Sequence, residues 1–258
     1  MATPIPDEAG ARPRAGRPRV ALTRPRADAE RSAALLRARG FEPVIVPAAE
    51  IAATGAQPAD ARFDALLATS ANAFAGLDAA ARASLAGLRV FVAGARTAAA
   101  ARAAGLAEAE ATGADAAALA GLVAARLARP SRLLYLAGVD RKSALESTLA
   151  AEGHELVTIE VYRARARESW SAAESARFAA CDAALHYSRR SAALAIALAQ
   201  RAGQDARLRE MLNACLSEDA AAPLRIFGAE RMVIAAGAQE SLLIDALCLA
   251  VQRNGSCS

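Results

Sequence analysis

The stretches DALLATSANAF (residues 64–74) and DAALHYSRRSAAL (residues 182–194) share one plan: an Asp, a short apolar run, a Ser and a helical pattern. Ser70 in the first stretch corresponds to Ser188 in the second, 118 residues later. An apolar run that leads through a polar turn into a helix is typical of a strand–turn–helix unit. Its repetition indicates that the chain builds this unit twice.

A longer pattern repeats as well. RVALTRPRADAERSAALLRARGFEPVIVP begins at Arg19, and RLLYLAGVDRKSALESTLAAEGHELVTIE begins 113 residues later at Arg132. This spacing aligns Gly40 with Gly153, each at the predicted end of a helix. Repeats at a regular spacing indicate internal duplication. The two kinds of unit alternate along the chain, so the duplicated halves lie either side by side or exchanged, with the first and last quarters together. The repeat leaves both arrangements open.

Short apolar runs predict strands, and Ala/Leu-rich segments between them predict helices. The predicted strands are residues 20–23, 44–46, 65–68, 90–93, 133–136, 156–159, 183–187 and 232–235. Helical patterns include residues 28–39, 97–104, 115–127 and 241–251. The strands do not alternate apolar with polar residues, which is typical of parallel strands covered on both faces. The predicted fold class is α/β.

Composition narrows the function classes. With 4% aromatic residues, the core of the 258-residue chain must be mainly aliphatic. The net charge of +4 suits an anionic ligand, but much of the excess lies within the first 19 residues, and no basic stripe with aromatics indicates nucleic-acid binding. No apolar run reaches the length of a membrane span, and the N-terminus does not resemble a signal peptide. We expect a cytoplasmic protein.

Cysteine and histidine patterns argue against metal, nucleotide and triad chemistry. The cysteines lack CxxC spacing and are predicted to be free thiols, mostly buried. They are Cys181, Cys215, Cys248 and Cys257. His154 is predicted to be an exposed turn residue and His186 a core or sheet-face residue. Neither GxGxxG nor GxxxxGK[ST] is present, which makes a nucleotide cofactor unlikely on sequence grounds, and Ser70 and Ser188 lack a catalytic base.

Six polar turns connect predicted strands to helices. They are residues 23–26, 69–72, 93–97, 137–142, 187–191 and 215–219. Unpaired backbone N–H groups at helix N-termini favour anions, and Gly94 and Gly138 permit close approach to the backbone. For any single Ser, Thr or Asp in these turns, capping preference favours the simpler interpretation of an N-cap. The set as a whole predicts a ligand with several carboxylates or phosphates.

Tyr162 lies in IEVYRARARE, where the second long repeat gives way to the second short one. This position is expected to lie near an interdomain cleft, where a phenol could donate a hydrogen bond or a proton to a leaving hydroxyl. The alternative is a Tyr that packs on the connector.

The ordered motifs resemble the uroporphyrinogen-III synthase family over roughly residues 19–250. They are LTRPR from Leu22, TSANAF from Thr69, VAGARTAAAARAAG from Val92, LLYLAGVDRKSALESTLAAEGHELVTIEVYRA from Leu133, DAALHYSRRSA from Asp182 and CLSEDAA from Cys215. The resemblance implies two flavodoxin-like parallel-sheet domains in the exchanged arrangement, joined by a two-stranded connector. The implied boundaries are residues 19–46 with 168–252 for domain 1, 52–160 for domain 2, 47–51 and 161–167 for the connectors, and 1–18 and 253–258 for disordered tails.

The resemblance also implies an activity. Hydroxymethylbilane, a linear tetrapyrrole with eight carboxylates, loses water, ring D is inverted through a spiro intermediate, and the ring closes to uroporphyrinogen III. The family needs no metal or organic cofactor. A monomer is favoured, with no nucleic-acid or membrane partner and at most a transient contact with the preceding enzyme of the pathway.

Position by position, the resemblance assigns a catalytic role to Tyr162. The substrate-binding residues that it implies are Ser70, Thr97, Ser188 and Ser217. The polar turns themselves add Arg24, a bidentate partner for a carboxylate, and Thr69, Ala71, Gly94 and Gly138. Two other readings stay open: a non-catalytic two-domain protein that binds an anionic ligand, such as an inactive paralogue, and, less favoured, a nucleoside-sugar transferase.

Overall fold

A computed structural model describes residues 16–58, 62–113, 116–127, 130–141 and 143–255. The chain divides into two units. Unit 1 combines the chain up to Glu50 with the chain from Ala166 onward, and unit 2 is Ile51–Arg165. Most of the two predicted tails, together with Cys257, lies outside the described residues.

The described residues alternate strands with helices. The strands are β1 (Arg19–Leu22), β2 (Glu42–Ile45), β3 (Ala49–Ala53), β4 (Ala65–Ala68), β5 (Arg89–Ala93), β6 (Ala109–Thr112), β7 (Arg132–Gly138), β8 (Glu155–Ala166), β9 (Ala183–His186), β10 (Leu212–Cys215) and β11 (Arg231–Ile234). The α-helices are α1 (Arg26–Ala38), α2 (Ala79–Leu85), α3 (Ala95–Ala103), α4 (Ala116–Arg126), α5 (Ala144–Ala151), α6 (Ala172–Ala179), α7 (Arg189–Arg201), α8 (Asp205–Glu210), α9 (Glu218–Phe227) and α10 (Glu240–Gly255). A 3-10 helix spans Ala71–Phe74. Helix α10 therefore runs three residues into the predicted C-terminal tail.

Two sheets organise these elements. The sheet of unit 1 has the order β11-β10-β9-β1-β2, and the other sheet has the order β3-β8-β7-β4-β5-β6. The pairs from β11 to β2 and from β8 to β6 are parallel. The α/β fold class with parallel-dominated sheets is confirmed. No helix among the described residues is long and apolar enough to cross a membrane.

The repeated aspartates fix how the two kinds of repeat unit combine. The carboxylate of Asp64 accepts a hydrogen bond from the backbone N–H of Arg132 at 2.8 Å, and that of Asp182 accepts one from Arg19 at 2.7 Å. Each Asp donates its own N–H back to the carbonyl of the same Arg at 2.8 Å. Each short repeat is therefore joined to the long repeat of the other half, so the exchanged arrangement is confirmed.

The long repeats match in backbone conformation too. Gly40 and Gly153 end α1 and α5 in the left-handed region, each with φ of +84°. A side chain is strained in this conformation, so both helices stop at a glycine.

Both faces of each sheet carry an apolar cluster, as expected for parallel strands covered by helices. Apart from rings such as Trp170 and Phe178, and Met211 with two cysteines, these clusters are built from Ala, Leu, Val and Ile. The prediction of a mainly aliphatic core is confirmed.

Strands β3 and β8 form the predicted two-stranded connector. Thr54 N–H donates to Val161 O, and Arg167 N–H donates to Ala48 O, both at 3.0 Å. The later residue of one strand thus pairs with the earlier residue of the other, so the two strands are antiparallel. Glu174 holds Arg167 through two hydrogen bonds of 2.7 and 2.9 Å, and this guanidinium lowers the pKa of Glu174 to about 2. The base of the connector is thereby anchored in unit 1.

Candidate functional site

The six predicted polar turns lie at the carboxyl ends of neighbouring strands, three in each unit. The turns after β1, β9 and β10 form what we call rim 1, and the turns after β4, β5 and β7 form rim 2. Because neighbouring parallel strands end at the same edge, each group of three turns lies together. Lys142 of the last rim 2 turn lies outside the described residues.

Three predicted binding serines cap helices. Ser70 accepts a hydrogen bond from Asn72 N–H at 3.3 Å, Ser188 accepts one from Ser191 N–H at 3.1 Å, and Ser217 accepts one from Ala220 N–H at 3.3 Å. The N-cap interpretation of these serines is confirmed. It defines one role for each hydroxyl and leaves its use toward a ligand as a hypothesis.

The turn after β5 differs in its chemistry. Gly94 caps α3 with φ of +81° and donates its own N–H to Thr112 O at 3.1 Å. Thr97, the third residue of the helix, is only 4% exposed. The side chain of Thr97, predicted to bind substrate, is therefore buried, whereas Ala95 at the start of the helix is exposed.

Tyr162 of β8 lies against the end of β7. A Cβ atom added at Gly138 would lie 2.7 Å from Cε2 and Cζ of the Tyr162 ring and 2.9 Å from its hydroxyl oxygen. The space beside Gly138, predicted to admit a ligand, is occupied by this phenol ring. The ring also packs against the apolar cluster of residues such as Phe74 and Leu136, which leaves Tyr162 half-buried.

A second tyrosine, missed in the sequence, lies beside this site. Tyr135 of β7 is 2% exposed, and its hydroxyl lies 3.0 Å from Thr69 Oγ1 in the turn after β4. Burial is the main cause that raises the pKa of Tyr135, so its phenol stays protonated at neutral pH. Thr69 is thus fixed by a neighbouring strand.

Arg141 links the turn after β7 to the adjacent strand. Its Nη1 donates to Gly138 O at 2.8 Å and to Glu160 Oε1 at 2.7 Å, and its Nε donates to Glu146 Oε1 at 2.6 Å. These bonds raise the pKa of Arg141, that to Glu160 most. The sequence signal for Arg141 was its place in the AGVDRK turn, but its carboxylate partners lie 5 and 19 residues away.

Rim 1 centres on a carboxylate. Glu240 Oε1 accepts hydrogen bonds from Arg24 Nη1 at 3.2 Å, from the Tyr187 hydroxyl at 2.6 Å and from Ser32 Oγ. The guanidinium of Arg24 also lies 4.0 Å from the centre of the Tyr187 ring. Arg24, predicted to bind a substrate carboxylate, is therefore already paired with a carboxylate of its own chain.

The histidine predictions divide. His186 is fully buried and shares a 2.9 Å hydrogen bond with Asn213 Oδ1, which confirms a core position; burial lowers its pKa to about 4. The prediction of an exposed His154 is wrong. His154 is 9% exposed, and its Nδ1 accepts the backbone N–H of Ser131 at 3.1 Å, because the turn after α5 folds back onto the start of β7.

The cysteine prediction holds within the described residues. Cys181 and Cys215 are buried free thiols, and burial raises the pKa of each to about 12. Cys248 is a free, partly buried thiol.

A family model described as "Uroporphyrinogen-III synthase HemD" matches residues 30–245. This chain belongs to the uroporphyrinogen-III synthase family. The family is one of lyases in porphyrin biosynthesis. None of the curated proteins compared matches the chain.

Solved structures of uroporphyrinogen-III synthases are similar to this chain, and the first of the two described next has the same fold. The uroporphyrinogen-III synthetase of Helicobacter pylori is 15% identical, with a TM-score of 0.54, over 91% of this chain and 99% of that one. A mutant uroporphyrinogen III synthase of Thermus thermophilus is 18% identical, with a TM-score of 0.44, over 91% and 99% of the two chains.

Proposed function

We propose that this chain is a uroporphyrinogen-III synthase that cyclises hydroxymethylbilane to uroporphyrinogen III, with loss of water and inversion of ring D. The observation that carries this proposal is the family match over residues 30–245, because it spans Tyr162, all of rim 2 and the last two turns of rim 1. Arg24 and the first turn of rim 1 lie outside the match.

Tyr162 assists the first step. The carbon–oxygen bond of the hydroxymethyl group breaks with its electron pair on oxygen, and the pyrrole nitrogen lone pair stabilises the carbon left behind. The phenol of Tyr162 donates its proton to the departing oxygen, which leaves as water, and the phenolate regains the proton that a pyrrole carbon loses on ring closure. The half-buried ring, packed at the end of β7, supports this role because a packed donor is already oriented.

The rims bind carboxylates of the substrate. Helix N-termini offer backbone N–H groups and the positive end of the helix dipole, and the cap hydroxyls of Ser70, Ser188 and Ser217 lie at three of these ends. Several such ends suit a substrate that carries eight carboxylates better than any single one does.

Ring D inversion then depends on how the chain is held. Ring D attacks the activated carbon to give the spiro intermediate, and rearrangement and closure give the type III isomer. Without the protein, the linear chain closes directly to the type I isomer. The contribution of the protein to this step is orientation, which converts one of two competing closures into the favoured one.

The experiment is incubation of the purified chain with freshly prepared hydroxymethylbilane, with separation of the oxidised product isomers by chromatography. We expect the type III isomer at a rate that is proportional to protein concentration. If only the type I isomer forms, at the rate of a protein-free control, the chain is a binding protein or an inactive paralogue and the proposed function is wrong. We further propose that the enzyme acts as a cytoplasmic monomer.

A further inference from the structure

Gly138 lacks the usual reason for being glycine. Its φ is not in the left-handed region, so its backbone conformation accepts any L-residue. What excludes a side chain is the ring of Tyr162, whose Cε2 and Cζ would lie 2.7 Å from an added Cβ, well inside an ordinary contact. The requirement for glycine at this position therefore comes from the neighbouring phenol.

A strand irregularity brings the phenol to that place. Ala137 pairs with Glu160, but Gly138 pairs with Tyr162, so Val161 is an extra residue on β8. Val161 is buried, at 1% exposure, and Tyr162 O accepts the N–H of Val139 at 3.0 Å. A β-bulge of this kind redirects the side chain that follows it.

Arg141 forms hydrogen bonds with both strands, β7 and β8, close to Gly138 and Tyr162. It binds the carbonyl of Gly138 on β7 and the carboxylate of Glu160 on β8, two residues before Tyr162. The turn that carries Gly138 and the strand that carries Tyr162 are thereby tied together at the ring.

We propose that Gly138 is a positioning residue for Tyr162. Because Gly138 has no side chain, the phenol ring can pack directly against its backbone, and this contact determines the direction of the Tyr162 hydroxyl. The proposal rests on the proposed function, in which that hydroxyl assists loss of water. Gly138 thus acts through Tyr162 and needs no contact with the substrate.

The primary test is Gly138→Ala, measured by kcat and KM for formation of the type III isomer. We expect kcat to fall at least about tenfold, since a displacement of about 1 Å of a catalytic group is enough for such losses, while KM changes less than about threefold because the carboxylate-binding turns stay in place. Gly113→Ala is the control. Gly113 lies directly after β6 of the same sheet, its φ is not restrictive, and among the described residues its added Cβ meets Ala118 Cβ at 3.3 Å.

A double variant separates positioning from general damage. In Gly138→Ala/Tyr162→Phe there is no hydroxyl left to misplace, so kcat should equal that of Tyr162→Phe within about threefold. Fully multiplicative losses would overturn the proposal.

A readout without substrate tests the position of the Tyr162 ring separately from the proposed function. The chain has three tyrosines, so 3-fluorotyrosine labelling gives three 19F resonances, with Tyr162 assigned by its loss in Tyr162→Phe. Gly138→Ala should shift the Tyr162 resonance and leave that of Tyr187 unchanged, whereas Gly113→Ala should shift neither. An unshifted Tyr162 resonance, or a kcat like that of Gly113→Ala, would overturn the proposal. An inactive wild type would instead refute the proposed function.

If Gly138→Ala does not fold, Arg141→Gln replaces it. This change removes the hydrogen bonds that link Gly138 to Glu160 without adding a side chain next to the Tyr162 ring. We expect a shifted Tyr162 resonance and a loss in kcat of at least about threefold. A wild-type resonance together with wild-type kcat would contradict the proposal.

Discussion

Rim 1 and rim 2 are built from corresponding turns of the repeated units, yet their side chains form different kinds of site. Tyr187 in rim 1 and Thr69 in rim 2 occupy equivalent positions, 118 residues apart. Tyr187 bonds to Glu240, in a network that also holds Arg24, whereas Thr69 bonds to the phenol of Tyr135. At this position rim 1 has a charged network around Glu240, whereas rim 2 has a pair of hydroxyl groups, and the charged contacts of rim 2 belong to Arg141 in another turn.

The arrangement of strands and helices is the same in the duplicated parts. Asp64 and Asp182 bond to the start of the neighbouring strand in the same way in both units. The turns could change because they lie at the surface, where a substitution does not disturb the sheet. We infer that the chemistry lies in rim 2 and at Tyr162, while rim 1 serves mainly to bind and stabilise.

The largest expected effect contrasts two tyrosines. Tyr162→Phe should lower kcat by about 100-fold, because it removes one hydrogen-bond donor to the leaving group, with little change in thermal stability. Tyr187→Phe, the rim 1 control, should leave kcat within about threefold of wild type and lower the stability instead, since it removes a donor from Glu240. Steady-state kinetics and thermal melts distinguish the two. Equal kcat for both variants would contradict the division between the rims.

A smaller effect concerns acid stability, which should depend on unit 1. His186 has Ala68 as its equivalent in the repeat of unit 2. Burial lowers the pKa of His186 from 6.5 to about 4, so the unfolded chain binds a proton that the folded chain does not. The contribution of neutral His186 to the free energy of unfolding is fully present above pH 6.5 and is lost as the pH falls from 6.5 toward 4. Between pH 7.5 and 5 the free energy of unfolding should fall by about 2 kcal/mol from this cause.

Urea unfolding followed by fluorescence of Trp170, the single tryptophan, measures this effect within unit 1. In His186→Ala, the difference in the free energy of unfolding between pH 7.5 and pH 5 should be smaller than in the wild type by about 2 kcal/mol. An unchanged difference would show that His186 is not the acid-sensitive group.

The smallest effect tests the closed network of rim 1. Glu240→Gln removes the negative charge that Arg24, Ser32 and Tyr187 share, and should lower the free energy of unfolding by about 1 kcal/mol. Glu218→Gln is the control, because its ion pair with Arg225 is exposed to solvent and should not affect unfolding. If both variants unfold alike, rim 1 is not a stabilising network.

The arrangement of strands and helices was predictable because the two copies of each repeat can be compared with each other within one sequence. All eight predicted strands occur, and β3 belongs to the predicted two-stranded connector, but two further strands of the described residues are not predicted. Strand β6 lacks β-branched residues until Thr112, and β10 contains the polar Asn213. Asn213 is tolerated there because its amide bonds to Leu208 O and Met211 O, and its oxygen to His186. Such partners are not visible in local patterns.

The site was predictable only in part, for the same reason. Five of the polar turns follow from their places after predicted strands, and Tyr162 follows from its place where the second long repeat ends. The pairing of Thr69 with Tyr135, and of Gly138 with Tyr162, depends on which strands are neighbours and on a bulge in β8. Tyr135 looked like an ordinary core residue because it lies inside an apolar strand. His154 looked exposed because the fold that buries it is formed by a distant Ser131.

The most direct test of the account is the isomer composition of uroporphyrinogen formed from a fixed amount of hydroxymethylbilane as the amount of this chain is increased. We predict that the type III fraction rises from none without protein to nearly all of the product when enzymatic closure outpaces the spontaneous reaction. A product that stays type I at every protein concentration would contradict the account.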